Sequence, residues 1–119
     1  MNYDFGVPFV SKLADSRVNL PYENIMIATL IIHLHLPACT SLKEKRGRIK
    51  PLISRLQREF NVSVAEMDLQ DKWQEAVIGC AMLGNDHAFL QSALQNVARW
   101  VEGNWTDGDV WEQRIEVYT

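Results

Sequence analysis

The chain has 119 residues, a net charge of -3 at neutral pH and 47% hydrophobic residues. This length suits a single domain with one buried core. The only two cysteines, Cys39 and Cys80, form neither a disulfide framework nor a zinc motif, which favours a reducing cytoplasm. The longest apolar stretch, residues 25–36, is too short and too often interrupted by polar residues to span a membrane. We therefore expect a cytoplasmic protein without a membrane partner.

Residues 1–24 show no sustained periodicity and none of the features of a signal peptide. We expect a loosely ordered N-terminal extension there, followed by a single domain over residues 25–119. Two alternatives stay open. Met26 stands at the start of the first strong element, so translation could begin at that residue. Equally, the extension could dock on the domain through its apolar side chains, which are Phe5, Val7, Phe9 and Val10.

Residues 25–36 alternate with the period of a β-strand that ends at Pro37. One face is apolar throughout and comprises Met26, Ala28, Leu30, Ile32, Leu34 and Leu36. The other face carries Ile27, Thr29, Ile31, His33 and His35. Because this second face is still rich in aliphatic area, we expect it to meet a partner.

The segment from Ser41 to Phe60 is predicted to form one amphipathic helix. Ser41 and Glu44 have the spacing of a capping box, in which the carboxylate reaches back to the cap. The core-facing stripe consists of Leu42, Ile49, Leu52, Ile53, Leu56 and Phe60. Pro51 predicts a bend, or else a break into two short helices. The stripe keeps its phase across the proline, which favours a single bent helix.

The same helix holds seven of the twelve lysine and arginine residues. They are Lys43, Lys45, Arg46, Arg48, Lys50, Arg55 and Arg58. With Glu44 and Glu59 the local charge is about +5, in an otherwise acidic chain. Such a patch predicts binding to the phosphates of RNA, while the alternative is an ordinary solvated surface. Since the strands lack aromatic residues in an RNP-like arrangement, we do not expect single-strand recognition of the RRM kind, and binding should be mainly to backbone and shape.

The second half of the chain predicts two strands, a helix and a final strand. Residues 61–67 form a weakly apolar edge strand, and residues 73–83 form a strongly apolar strand. Asp86 caps the second helix, and Gly103 is expected to end it in a left-handed conformation. Its buried face comprises Phe89, Leu90, Ala93, Leu94, Val97, Trp100 and Val101. Residues 110–118 form the last strand.

The resulting order, β-α-β-β-α-β, predicts an α+β, ferredoxin-like fold: a four-stranded antiparallel sheet with two helices on one face. In that topology the first and third strands are central. These are also the two most apolar strands of this chain, which supports the assignment independently of the order. The other face of the sheet would stay open.

Several short strings resemble the YlxP-like family, a bacterial group whose domain has no known function. They are SLKEKR at 41–46, FNVSVAE at 60–66, Asp71, Trp73, Gln74, Ala76, Gly79, Asn85-Asp86 and Val97 with Val101-Glu102. The resemblance covers residues 26–117 and leaves residues 1–24 outside. It implies a ferredoxin-like fold and, because family members are often encoded beside translation and ribosome-maturation genes, a role near the ribosome or its RNA. It implies no catalytic residues.

Three other groups of residues are weaker candidates. His33 and His35 point to one side of their strand and could hold a metal, but no third ligand is evident. A second group surrounds the hairpin and offers carboxylates for a cation or a hydrolase: Glu66, Asp68, Asp71 and Glu75. Cys39 lies near His35 in sequence, whereas Cys80 is expected to be inert core. We expect no cofactor, no metal and no enzymatic activity.

The first functional hypothesis is a non-enzymatic accessory protein that binds ribosomal RNA or a ribosomal particle through its seven basic helix residues. The alternative is a homo-oligomeric protein-interaction module that needs no nucleic acid. Its interface would be the edge strand or the open sheet face, which carries Ile27, Thr29, Ile31, His33 and His35.

Overall fold

The structure, a computed structural model, describes residues 25–119. The predictions made for residues 1–24 lie outside this part of the chain. The six elements are β1 (Met26–His35), α1 (Leu42–Glu59), β2 (Ser63–Asp68), β3 (Glu75–Gly84), α2 (His87–Asn104) and β4 (Asp109–Tyr118). The predicted order β-α-β-β-α-β is confirmed.

The four strands form one antiparallel sheet in the order β2-β3-β1-β4. The two apolar strands β1 and β3 are central, and β2 is an edge strand, as the sequence predicts. This is the ferredoxin-like α+β architecture. The reason is physical: the strands with two apolar faces can be flanked on both sides, whereas the more polar strand is tolerated at an edge.

One face of the sheet and both helices enclose a single core. Strand β1 contributes Ala28, Leu30, Ile32 and Leu34, none of which is exposed. Helix α1 contributes Ile49, Leu52 and Leu56, and helix α2 contributes Leu90, Leu94, Val97 and Val101. Each large side chain of this kind stabilises the fold by roughly 1.5–3 kcal/mol on burial. The alternating residues of β1 are left on the opposite, open face.

Helix α1 begins with a cap that differs slightly from the predicted one. The Ser41 hydroxyl accepts a hydrogen bond from the Glu44 amide at 3.0 Å. The Glu44 carboxylate accepts from the amide and the hydroxyl of Thr40, each at 3.0 Å, instead of from Ser41. These bonds, the amide bond first, lower the pKa of Glu44. These bonds therefore stabilise the helix start at pH values above the ordinary pKa of a glutamate. Their contribution is lost as the pH falls through the lowered pKa of Glu44.

Helix α1 continues unbroken through Pro51. This confirms one helix rather than two, and the bend at the proline stays a prediction. The ring is exposed on the outer side of α1. A proline there removes the amide bond to Gly47, but the freed carbonyl can be hydrated.

Helix α2 corrects two details of the sequence prediction. Asp86 caps it as expected, with its carboxylate accepting from the Phe89 amide at 3.1 Å. Phe89, however, is 65% exposed, because it lies about 100° around the helix from the centre of the buried stripe. Gly103 does not end α2 in a left-handed conformation: the helix continues to Asn104, and Trp105 is the cap with a φ of -89°.

Candidate functional site

Lys45 is buried, although the sequence places it among the seven basic contact candidates. Its side chain is 1% exposed. The ammonium donates to the carbonyl oxygens of Leu69 at 2.7 Å and Lys72 at 2.8 Å, and it lies 3.0 Å from a carboxylate oxygen of Glu66. The ammonium thus donates two hydrogen bonds to carbonyls, and its contact with Glu66 is an ion pair without hydrogen-bond geometry. Lys45 is therefore not available to a phosphate, and the prediction that it contacts nucleic acid is wrong.

The position of Lys45 on α1 explains its burial. It precedes Ile49 by four residues and Leu52 by seven, so it shares the core-facing stripe. Its aliphatic stem lies in that stripe, and its charge reaches the hairpin that joins β2 to β3. In this hairpin Leu69 has a φ of 60°, a left-handed conformation that costs an L-residue about 1–2 kcal/mol. The bond from Lys45 to the Leu69 carbonyl helps to hold that conformation.

Three of the strings that carry the family resemblance come together at this end of the molecule: SLKEKR, FNVSVAE and the segment that holds Gln74. SLKEKR supplies the cap and Lys45, and FNVSVAE supplies Glu66. Gln74 adds two links, since its side-chain amide donates to the Cys39 carbonyl at 3.5 Å and its own carbonyl accepts from the Leu36 amide at 2.9 Å. These residues join β1, the start of α1 and the hairpin. Their contacts connect these elements and stabilise the fold.

Four other basic residues of α1 are exposed and make no ion pair within the described part of the chain: Lys43, Arg46, Lys50 and Arg58. At 100° per residue, Lys43, Lys50 and Arg58 point away from the buried stripe, and Arg46 lies on one flank. Their backbone positions extend over about 22 Å of the helix axis. We call these four residues the basic face.

Arg48 and Arg55 lie on the other flank of α1 and make intramolecular contacts. Arg48 donates to the Asp107 carbonyl and approaches Glu44, with 4.0 Å between the guanidinium and the carboxylate. The Arg55 guanidinium lies 4.8 Å from the centroid of the Trp100 ring. Both arginines line a cleft of about 140 Å³ between α1 and the C-terminal end of α2. We call it the interhelical cleft.

The open face of the sheet carries a row of exposed apolar side chains. Ile27 is in register with Leu83 on β3 and with Tyr118 on β4. These three side chains are 48%, 69% and 54% exposed, respectively. Three large apolar side chains side by side on three neighbouring strands form an uncommon surface for a solvated sheet. Thr29 and Ile31 continue this face along β1 and are partly exposed.

The two histidines share one side of β1, as predicted, and the ring of each contacts an acidic side chain and Trp111. His33 lies 3.0 Å from a Glu75 oxygen, and His35 lies 3.1 Å from an Asp109 oxygen. Trp111 stacks on the His35 ring at 4.3 Å between centroids and meets the His33 ring edge-on at 5.3 Å. Within residues 25–119 no three histidine, cysteine or acidic side chains are placed to hold a metal ion.

Trp111 reaches the open face because the pairing of β1 with β4 shifts between His33 and Leu34. His33 pairs with Glu112 and Leu34 with Val110, so Trp111 is the extra residue of a β-bulge. A bulge of this kind redirects one side chain and could not be read from the alternation of β4 alone. Sequence analysis missed this contact.

The remaining chemical candidates do not assemble into a reactive site. Glu66 pairs with Lys45, and Glu75 lies against His33, so each of these two hairpin carboxylates already has a neighbour of opposite or potential positive charge. The thiol of Cys39 is buried and donates to the Ser41 carbonyl at 3.5 Å. Burial raises the pKa of Cys80 to about 11, which keeps it a neutral thiol. It is inert core, as predicted.

The sequence of this chain matches a known protein family. The family model described as "Protein of unknown function (DUF503)" matches residues 27–115. The chain belongs to the DUF503 family. It is 37% identical to the uncharacterized protein YlxP of Bacillus subtilis (strain 168) over 62 residues, which is 52% of this chain and 67% of that protein. The resemblance to the YlxP-like family is thereby confirmed. In this DUF503 domain no helix among the described residues is both long and apolar enough to cross a membrane.

Proposed function

We propose that this DUF503 protein is a non-enzymatic accessory protein that binds RNA, in a ribosomal particle or an assembly intermediate, through the basic face of α1. The observation that supports the proposal is the set of four exposed cations, unpaired within residues 25–119, in a chain of net charge -3. In this role the protein requires no cofactor and acts in the cytoplasm.

The spacing of these cations favours an anionic partner over a merely solvated surface. Lys43 and Arg46 are three residues apart, and Arg46 and Lys50 are four apart, so each pair lies on adjacent turns of the helix. Like charges at these spacings destabilise a helix by about 0.2–0.5 kcal/mol per pair. A row of phosphates removes this repulsion, and each contact gains affinity by releasing a counterion.

The test is sedimentation of the tagged protein from a cell lysate on a gradient, at low and at high salt. We expect co-migration with a ribosomal particle at low salt and its loss at high salt. The variant Arg46→Glu/Lys50→Glu should lose it at low salt as well. With purified RNA, the same variant should reduce the slope of log affinity against log salt by about two, because two phosphate contacts are removed.

The matched control is Arg99→Glu/Arg114→Glu, which makes the same change of charge on α2 and on the sheet face. It should behave like the unaltered protein if the location of the charges matters. Unchanged RNA binding in the α1 variant, or equal loss in both variants, would argue against the basic face as the contact surface.

A second candidate function is self-association through the open sheet face, favoured by the row of Ile27, Leu83 and Tyr118. Four strands of this length present a face of roughly 600 Å². Two such faces together bury about 1,200 Å², the lower end of a stable interface. The helices lie on the other side of the sheet, so a dimer of this kind leaves the basic face accessible.

Light scattering over a range of concentrations tests self-association. We expect the unaltered protein to become dimeric as its concentration rises, and Leu83→Lys to stay monomeric because it places a charge in the apolar row. Phe89→Lys is the control, since Phe89 is similarly exposed but lies on α2. Monomers at every concentration of the unaltered protein would rule out this candidate.

A further inference from the structure

The interhelical cleft has an aromatic wall and a rim of cations. Trp100 supplies the wall, and the Arg55 guanidinium covers part of its ring at 4.8 Å. Arg48 lies about two turns earlier on the same flank of α1. Trp100 is also fixed from another direction, because Phe60 meets it edge-on at 5.9 Å. These contacts hold the ring in place and leave the outer side of the exposed Arg55 guanidinium as the flat surface at the rim.

The cleft also contains polar groups with unused hydrogen-bonding capacity. Trp105 lines it as a second aromatic ring, 8% exposed, whose indole nitrogen is covered by the protein. Asn104 donates from its amide nitrogen to the Trp100 carbonyl at 2.9 Å, which leaves its side-chain oxygen as an acceptor. Thr106 adds a hydroxyl to the same lining.

This combination suits a nucleobase better than a phosphate or an aliphatic group. A phosphate would find two arginines, but Arg48 already donates to the Asp107 carbonyl, and Asp107, an acidic residue, lines the cleft as well. An aliphatic group would use neither the exposed guanidinium of Arg55 nor the side-chain oxygen of Asn104. A flat heterocycle offers a π-face to Trp100 and Arg55, and its edge carries both donors and acceptors.

We propose that the interhelical cleft binds one unpaired base of an RNA whose phosphate backbone runs along the basic face. This inference rests on the proposed function and makes it more specific, because the RNA should then carry a bulged or looped-out nucleotide. The two surfaces meet at Arg58, which lies about 60° around α1 from Arg55 on one side and about 60° from Lys43 on the other. The basic face supplies affinity for any backbone, and the cleft selects an unpaired position.

Fluorescence anisotropy with two short RNAs tests the inference. One is a perfect duplex, and the other is the same duplex with a single extra nucleotide in one strand. We expect the full-length protein to bind the bulged RNA about 5- to 100-fold more tightly, the range that one stacked base contributes. Trp100→Leu should abolish this preference while keeping the salt-dependent affinity for the perfect duplex.

Two further variants separate recognition from folding. Arg55→Gln removes the cation from the ring without opening the core, since Arg55 is exposed, and should weaken the preference for the bulge. Trp111→Leu changes a tryptophan on the open sheet face and should leave the preference intact. A thermal melt of each variant confirms that it is folded at the temperature of the titration.

The possible failures are distinguishable. Equal affinity of the unaltered protein for both RNAs overturns the cleft inference and leaves the proposed function standing. A preference that survives both Trp100→Leu and Arg55→Gln overturns it as well. Absence of salt-dependent binding to either RNA overturns the cleft inference and the proposed function together. In Arg46→Glu/Lys50→Glu we expect weaker binding to both RNAs with the preference for the bulge retained.

Discussion

Lys45→Met is expected to lower the free energy of unfolding by about 2–4 kcal/mol. The substitution keeps the volume of the aliphatic stem but removes the ammonium that binds Leu69, Lys72 and Glu66. Two backbone carbonyls then lose their donor, and the carboxylate loses its ion-pair partner. The effect should fall below that of a completely buried ion pair, because the Glu66 side chain is 21% exposed and can be hydrated.

Urea denaturation of Lys45→Met and Lys43→Met measures this effect against a matched control. Lys43 lies two residues earlier on the same helix and is exposed, so its replacement should change stability by less than about 0.5 kcal/mol. Equal changes in the two variants would contradict the account of Lys45 as a buried link. The folded Lys45→Met protein should bind RNA as the unaltered protein does, because its charge never reaches the surface.

Much of the architecture could be predicted because it follows from local patterns. The alternation of Ala28, Leu30, Ile32 and Leu34 requires only that one face of a strand be buried. The caps at Ser41 and Asp86 depend on residues within one helical turn. The apolar content of β1 and β3 then places both strands at the centre of the sheet. Each of these inferences uses short-range information and the requirement for a single core.

The burial of Lys45 is indicated by its position on the helix and not by its residue type. Its spacing of four from Ile49 and seven from Leu52 placed it on the core stripe. The carboxylate that compensates the charge, Glu66, comes from another strand and could be recognised only when the hairpin was in place. A lysine that lies on the apolar side of a helix thus indicates that buried hydrogen-bond acceptors or a carboxylate lie near its ammonium.

The candidate site was only partly predictable for a related reason. The basic face follows from the helical period alone, since Lys43, Lys50 and Arg58 share one side of α1. The interhelical cleft depends on how α1 packs against the end of α2, which brings Arg55 over Trp100. Likewise, Trp111 reaches His35 only through the bulge in β4. Contacts between distant segments require the tertiary arrangement.

The structure separates two kinds of surface onto opposite sides of one sheet. Cations and the interhelical cleft lie on the helical side, and the row of Ile27, Leu83 and Tyr118 lies on the open side. Binding of an anion on one side therefore does not compete with an apolar partner on the other. A dimer joined through its sheets would present two basic faces pointing outward, and this arrangement would increase avidity for a long RNA.

Gly108→Ala is expected to lower the free energy of unfolding by about 3 kcal/mol, at the upper end of the usual cost of overpacking. A Cβ atom at this position would lie 2.1 Å from the His35 carbonyl oxygen and 3.0 Å from the Trp105 ring. The carbonyl belongs to β1 and cannot turn away as a flexible side chain would. The next residue, Asp109, pairs with His35 at the start of β4, so the entry of this strand must shift.

Gly103→Ala is the matched control, and its expected effect has the opposite sign. Gly103 lies within α2, and a Cβ atom there would meet nothing within 4 Å. Alanine is favoured over glycine inside a helix by about 0.8–1.0 kcal/mol, so this variant should be more stable than the unaltered protein. Urea denaturation of both variants decides the matter: a destabilised Gly103→Ala or a neutral Gly108→Ala would contradict the packing described for this end of the sheet.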